Sequence, residues 1–240
     1  MKKIIISFLM LMPLLAMASE EVHLDKADYD LHNKESLQRG ARLFVNYCLS
    51  CHSAAAQRYN RMAADIGLTD AQVKNNLMFA GDKVGETMTV ALHESDAKKM
   101  FGTKVPDLSV IARARGADWI YTYLRSFYKD DSRPMGVNNT VFPEVGMPNI
   151  LWELEGMKKL VNKEEVHEHH AAPRFEKISE GKMTGPEFDN AVSDLTAYLV
   201  YMGEPAKLVR YELGVWVLLF LAILFVVSYI MKKEFWKDVH

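Results

Sequence analysis

The chain has 240 residues, of which 49% are hydrophobic and 25% charged, and it carries a net charge of −2 with only two cysteines. This is the composition of a globular protein without repeats or low-complexity tracts. No basic patch with interleaved aromatics supports nucleic-acid binding.

Lys2 and Lys3 precede an uncharged apolar run, Ile4 to Leu15, followed by the small-x-small pattern Ala16-Met17-Ala18. Residues 1–18 therefore read as a secretory signal peptide and the mature chain as starting at Ser19; the run is short for a membrane span. Asn33 is placed to cap a helix that carries Leu37, Ala41, Phe44, Val45 and Cys48 on one face. That helix delivers Cys48 to the core side, where the sequence reads Cys48-Leu49-Ser50-Cys51-His52. Two thiols at this spacing can each add to a vinyl group of a porphyrin while the adjacent imidazole reaches the iron, which is the pattern of covalent haem c attachment. A structural zinc site wants four ligands and there is no second cysteine pair, and a redox dithiol belongs in a βαβ context that is absent here. Export supplies the compartment that haem attachment needs. With both cysteines in thioethers, no disulfide framework remains and the domain relies on its core and its haem.

Further along, Asp118 is positioned to cap a helix in which Trp119, Ile120, Tyr123, Leu124 and Phe127 recur at helical period, an aromatic stripe that reads as core and haem wall. Residues 129–150 and 156–186 read as loops, longer than ordinary connectors need and suited to covering the haem or meeting a partner. The sixth iron ligand decides between a carrier and a catalyst with an open site. Of 14 methionines, Met10, Met12 and Met17 leave with the signal peptide and Met231 lies in an apolar span. Met135 and Met147 stand in loops beside glycine and proline, which permit close approach and set turns. Residue type alone leans to Met147 and leaves Met135 open. His167-Glu168-His169-His170 has side chains that suit zinc, but its spacing matches no defined site and a charged loop explains it.

A helix is predicted over Glu187 to Met202, with Phe188, Ala191, Leu195, Tyr198, Leu199 and Met202 on one side, ending at Gly203 and Pro205. After a juxtamembrane linker at 207–212, Leu213 to Met231 forms 19 uncharged residues, about 28 Å of helix and close to the ~30 Å hydrocarbon core, hence a transmembrane helix. Lysines follow it, but Lys207 and Arg210 precede it, so orientation rests on the signal peptide: domain 19–206 outside, tail 232–240 inside. Without signal peptide and tail, 24 basic residues face 29 acidic ones, a surface that could steer a basic partner or simply keep the domain soluble. Period-2 alternation is scarce, so the fold class is mainly α.

Several blocks occur together in order: the haem motif at 48–52, Val105-Pro106-Asp107-Leu108-Ser109 followed by Ile111-Ala112-Arg113-Ala114-Arg115, the aromatic helix from Trp119, Phe142-Pro143 with Gly146-Met147-Pro148, Gly203-Glu204-Pro205, and the anchor. In these the chain resembles the cytochrome c1 family, the haem subunit of bacterial ubiquinol:cytochrome c reductase (cytochrome bc1). The resemblance covers most of the mature chain. It implies a class I-like c-type cytochrome domain with long loop insertions and one C-terminal transmembrane helix, in the bacterial inner membrane with the haem domain in the periplasm. It also implies one covalently bound haem c, with thioethers at Cys48 and Cys51, His52 and Met147 as iron ligands, Pro106 beside the haem and Arg115 near a propionate. A guanidinium is chemically suited to that last role. The implied partners are cytochrome b, a Rieske iron–sulfur protein as donor, a soluble or membrane-attached c-type cytochrome as acceptor, and membrane lipid, with no bond-making chemistry on the chain itself. Trp119 departs from a tyrosine common in the family, and the 129–147 segment is shorter than in mitochondrial members. The rival readings are an anchored carrier that serves an oxidase directly and a haem enzyme or gas sensor with an open distal site.

Overall fold

A computed structural model describes residues 23–90, 92–162, 166 and 172–238. The signal peptide and the His167–His170 cluster lie outside the described residues. Among the described residues the fold is mainly helical, with three small two-stranded antiparallel sheets and one long apolar C-terminal helix.

Helix α1, Lys34–Leu43, starts where the Asn33 side chain accepts from the Ser36 backbone N–H. The expected face is buried throughout: Leu37, Ala41, Phe44, Val45 and Cys48. The helix then widens into a π turn over Phe44–Cys48, in which the Leu49 N–H reaches back to the Phe44 carbonyl at 2.9 Å. Such turns insert a residue and rotate the chain beyond them, and here they hand over to the two cysteines.

Strand β1, Ala54–Arg58, leads into α2, Tyr59–Ile66, and α3, Asp70–Asn76. β2, Thr87–Met88, pairs with β1, and α4, Glu94–Phe101, comes next. Two further helices, α5 at Ile111–Arg115 and α6 at Ala117–Arg125, meet at Gly116, whose φ of +88° turns the chain sharply. The turn leaves Asp118 inside α6, not capping it. Its carboxylate instead accepts from the Ala27 N–H at 2.8 Å and ties down the N-terminal segment.

Both segments expected as loops carry strands. The aromatic helix stops at Arg125, so Phe127, expected on it, stands instead in β3, Phe127–Lys129, which pairs with β4, Val137–Asn139. After α7, Trp152–Glu155, β5 at Lys158–Leu160 pairs with β6 at Phe175–Lys177. Strands of three residues are too short for alternation to declare them.

Helix α8, Gly185–Gly203, begins in a capping box between Thr184 and Glu187. The expected one-sided apolar face gives way to burial all round from Asp194 onward, because α8 packs on α1 from one side and on α5 and α6 from another. Gly40 of α1 makes the first contact possible: a Cβ there would lie 2.1 Å from the Asp194 carbonyl oxygen and 2.7 Å from Tyr198 Cβ. Asp194, inside this interface, accepts from Ser36 Oγ at 2.6 Å and from both Nε and Nη2 of Arg39 at 2.6 and 2.9 Å.

Three residues separate α8 from α9, Lys207–Phe235, which is about 43 Å long. Its apolar side chains from Leu213 to Met231 face outward, as a membrane span requires and a core helix does not. The segment read as a linker, 207–212, is the first part of this helix.

Gly40→Ala is expected to force α1 and α8 apart, destabilising the domain by about 3 kcal/mol and lowering its melting temperature by roughly 6–12 °C. Thermal unfolding of the purified variant followed by circular dichroism checks this.

Candidate haem site

The residues after the haem motif are stitched to the Pro-Asp-Leu-Ser block. Asp107 Oδ2 accepts from the Ala55 N–H at 2.8 Å and Ser109 Oγ from the Ala56 N–H at 3.0 Å, while the Leu108 N–H donates to the Ser53 carbonyl at 2.8 Å. Asp107 also closes its own turn by accepting from the Ser109 N–H. With both flanks fixed, the His52 ring lies against Pro106, and its Nδ1 is 2.7 Å from the Pro106 carbonyl oxygen. A carbonyl can only accept, so Nδ1 carries the proton and Nε2 keeps its lone pair. Burial pushes the imidazole pKa down, against the opposing pull of the Pro106 carbonyl and Asp107, which favours the neutral form.

A cleft of about 1040 Å³, counting its open mouth, lies beside this ring. Its walls come from Cys48 and His52, from Pro106, Leu108, Ile111 and Arg115, from Trp119, Ile120, Tyr123 and Leu124 of α6, from the segment Phe142 to Met147, and from Leu195 and Leu199 of α8. A smaller hollow adjoins it and is lined by Cys51, Phe101, Val105 and Ile150. His52, Pro106, Gly146 and Met147 belong to both. Thus Cys48 faces one compartment, Cys51 the other, and the imidazole and the thioether stand where the two meet. The linings are overwhelmingly apolar, as cofactor pockets of this size are. Burial raises the Cys48 thiol to about 12, so it is unsuited to be a redox thiolate.

Met147 arrives on a segment held by two buried asparagines. Asn138 Oδ1 accepts from the Asn139 and Glu144 N–H groups, and Asn139 Oδ1 accepts from those of Val141 and Phe142. Asn139 Nδ2 donates to the Tyr123 carbonyl at 2.8 Å, locking the segment to α6. Glu144 sits at φ +60°, a strained position for a non-glycine residue, and its carbonyl accepts from Arg133 Nη2 at 2.9 Å. Gly146 then passes close under α4: a Cβ there would meet the Phe101 carbonyl oxygen and Thr103 Cγ2 at 3.0 Å each. Its small size serves this chain packing, and Gly146 also lines both compartments. Met135 packs against Phe127, Val137 and Val145 and lines neither compartment.

Arg115 lies at the mouth, its guanidinium 5.0 Å from the Trp119 ring centre and 5.9 Å from that of Phe142. Trp119 in turn stacks on Tyr123 at 4.8 Å. The sequence-derived residues Cys48, His52, Pro106, Arg115 and Met147 therefore converge on one cleft, with Cys51 on its neighbour. Missed were Asp107 and Ser109, whose clamp was announced by short polar side chains after a proline, and the asparagine pair, which read as ordinary loop polarity.

A family model described as the cytochrome C1 family matches residues 25–239. The chain belongs to this family. It is 47% identical over 244 aligned residues to a cytochrome c1 of Allochromatium vinosum, covering all of this chain and 99% of that one. It is 45% identical to a Nitrosomonas europaea protein named ammonia monooxygenase gamma subunit, with the same coverage, and 24% identical to a cytochrome c1 of Rhodospirillum rubrum, covering 89% of this chain and 85% of that one. A chain of a solved hyperthermophilic respiratory complex III aligns at 16% identity with a TM-score of 0.44, over all of this chain and 98% of that one. Membership makes the protein a haem-bearing, single-pass membrane subunit that transfers electrons within a cytochrome bc1 complex and makes no bonds of its own. The oxidase-linked and open-site alternatives have no comparable support.

Asn139→Ala is expected to leave the Val141 and Phe142 N–H groups without their acceptor and to cut the tie to the Tyr123 carbonyl, which keeps the Ser126 N–H, at a cost of roughly 1–3 kcal/mol. Hydrogen exchange should quicken at Val141 and Phe142 before the rest of the domain, a pattern readable by NMR or mass spectrometry.

Proposed function

We propose that the cleft holds one haem c, which Cys48 and Cys51 would carry through thioethers and whose iron His52 and Met147 would bind. The commitment of His52 Nδ1 to the Pro106 carbonyl carries this reading, because it leaves Nε2 as a neutral donor beside the cleft that Met147 also lines. Metal-bound histidines are ordinarily oriented in this way through their second nitrogen. The bound group supplies a one-electron couple between Fe(III) and Fe(II), and a thioether ligand favours the reduced form.

Everything else is done by the chain. Pro106 and the Asp107–Ser109 clamp hold the imidazole, the asparagine-pinned segment presents the thioether, and the apolar walls exclude water and competing ligands. Arg115 is held over Trp119 and Phe142 at the mouth, and among the described residues no carboxylate forms an ion pair with it; it is suited to a propionate. The electron comes from a Rieske iron–sulfur protein and leaves to a c-type cytochrome, soluble or membrane-attached. The haem domain is periplasmic, with α9 crossing the inner membrane among lipid and the tail in the cytoplasm.

The first test is purification in mild detergent, with a ferrous-minus-ferric spectrum, the near-infrared Met–Fe(III) band and mass spectrometry of co-purifying chains. Low-spin His/Met haem c together with cytochrome b and a Rieske protein is expected. High-spin haem, or recovery with a monooxygenase in place of those partners, would overturn the reading. Met147→Leu should retain covalent haem on a denaturing gel, abolish the near-infrared band, lower the midpoint potential and admit CO. Arg115→Gln should shift the potential while leaving that band in place.

A further inference from the structure

The Met147 sulfur has a hydrogen-bond partner that neither the haem motif nor the loop sequence announces. The Tyr123 hydroxyl donates to Met147 Sδ at 3.3 Å. Its ring is held by stacking on Trp119 at 4.8 Å and by an edge contact with Phe127 at 5.1 Å. The Tyr123 carbonyl is also the group to which Asn139 Nδ2 donates, so the hydroxyl and the segment that carries Met147 are aligned through one buried amide. From sequence, Tyr123 was one of several aromatics in a packing stripe.

A thioether is a weak acceptor, and a partly buried tyrosine usually finds a better one. Tyr198 makes a similar contact with Met62 Sδ at 3.2 Å, but it does so deep in the core, where those sulfurs are the acceptors at hand. Tyr123 differs because it lines the cleft beside the sulfur proposed as a ligand.

We propose that Tyr123 is a positioning and tuning residue for the Met147 thioether: its hydroxyl engages one sulfur lone pair, turns the other toward the iron, and raises the reduction potential. This rests on the reading of Met147 as the axial ligand. Sulfur has two lone pairs, and fixing one in a hydrogen bond selects the side from which the other is offered. The same bond draws electron density from sulfur. Fe(III) depends more on that density than Fe(II), so the reduced form gains relative to the oxidised one, as with other hydrogen bonds to metal ligands. A phenyl ring at position 123 would fill the same space between Trp119 and Phe127 and could do neither.

The test uses the full-length holoprotein in detergent. Tyr123→Phe should keep covalent haem and the fold while shifting the one-electron equilibrium toward the oxidised form by several-fold, up to about tenfold, or about 59 mV. The near-infrared Met–Fe(III) band should move or weaken, and CO should enter the ferrous protein faster. Tyr121→Phe removes a hydroxyl from the same helix but away from the cleft lining, so its potential should stay at the wild-type value. An unchanged potential and band in Tyr123→Phe, or an equal shift in Tyr121→Phe, would overturn the inference. Met147→Leu separates the two layers. Loss of the band there upholds the ligand assignment whatever Tyr123→Phe does, and its persistence brings down that assignment and the tuning role together.

Discussion

The hydrogen bond between His52 Nδ1 and the Pro106 carbonyl is the constraint on which the site depends. A free imidazole has two nitrogens that exchange a proton and a ring that turns about two bonds. One acceptor at 2.7 Å removes both freedoms and decides which nitrogen faces the cleft. A proline carbonyl is well suited to this, since its ring fixes φ and the adjoining Asp107 and Ser109 fasten the segment to the strand that leaves the haem motif. The Pro-Asp-Leu-Ser block thus acts from more than fifty residues away to hold one side chain.

The opposite wall is built by different means. No regular element carries Met147; its segment is shaped by asparagine side chains that take the place of a backbone ladder, accepting from four N–H groups between them. Glu144 at positive φ stays put because Asn138 and Arg133 hold it from both sides. A segment fixed by many side-chain bonds can be altered in length or sequence outside those anchors without moving the thioether. In contrast, the His52 wall is continuous with α1 and the core.

What was legible in the sequence was mostly local. The Asn33 cap, the buried face of α1, the haem motif and the C-terminal apolar run each lie within one helix or one turn, where period and spacing speak directly. Features that depend on distant partners were not legible. Nothing in Phe44–Cys48 declares a π turn. Asp118 looks like a cap until Gly116 turns the chain ahead of it. The asparagines at 138 and 139 look like any polar loop pair until α6 lies beneath them. Met135 and Met147 have similar neighbours in sequence and pack against the same small cluster of Phe127, Val137 and Val145; they are separated only by which of them also lines the cleft. Gly146 stood out by its place beside Met147, and the crowding it relieves from Phe101 and Thr103 could not be read from the sequence. The family resemblance supplied residue roles that spacing could not, and family membership is now established by the match over residues 25–239.

Between the last turn of α8 and the first of α9 there are only Glu204, Pro205 and Ala206. Fully extended they would reach about 11 Å, and they are not free to extend, because Arg210 grips Glu204 through both carboxylate oxygens at 2.6 and 3.2 Å. This is a short leash with a knot in it. The domain is joined to its span by a near-rigid joint and not by a flexible linker, so the reach of the cleft from the span is written into the chain itself.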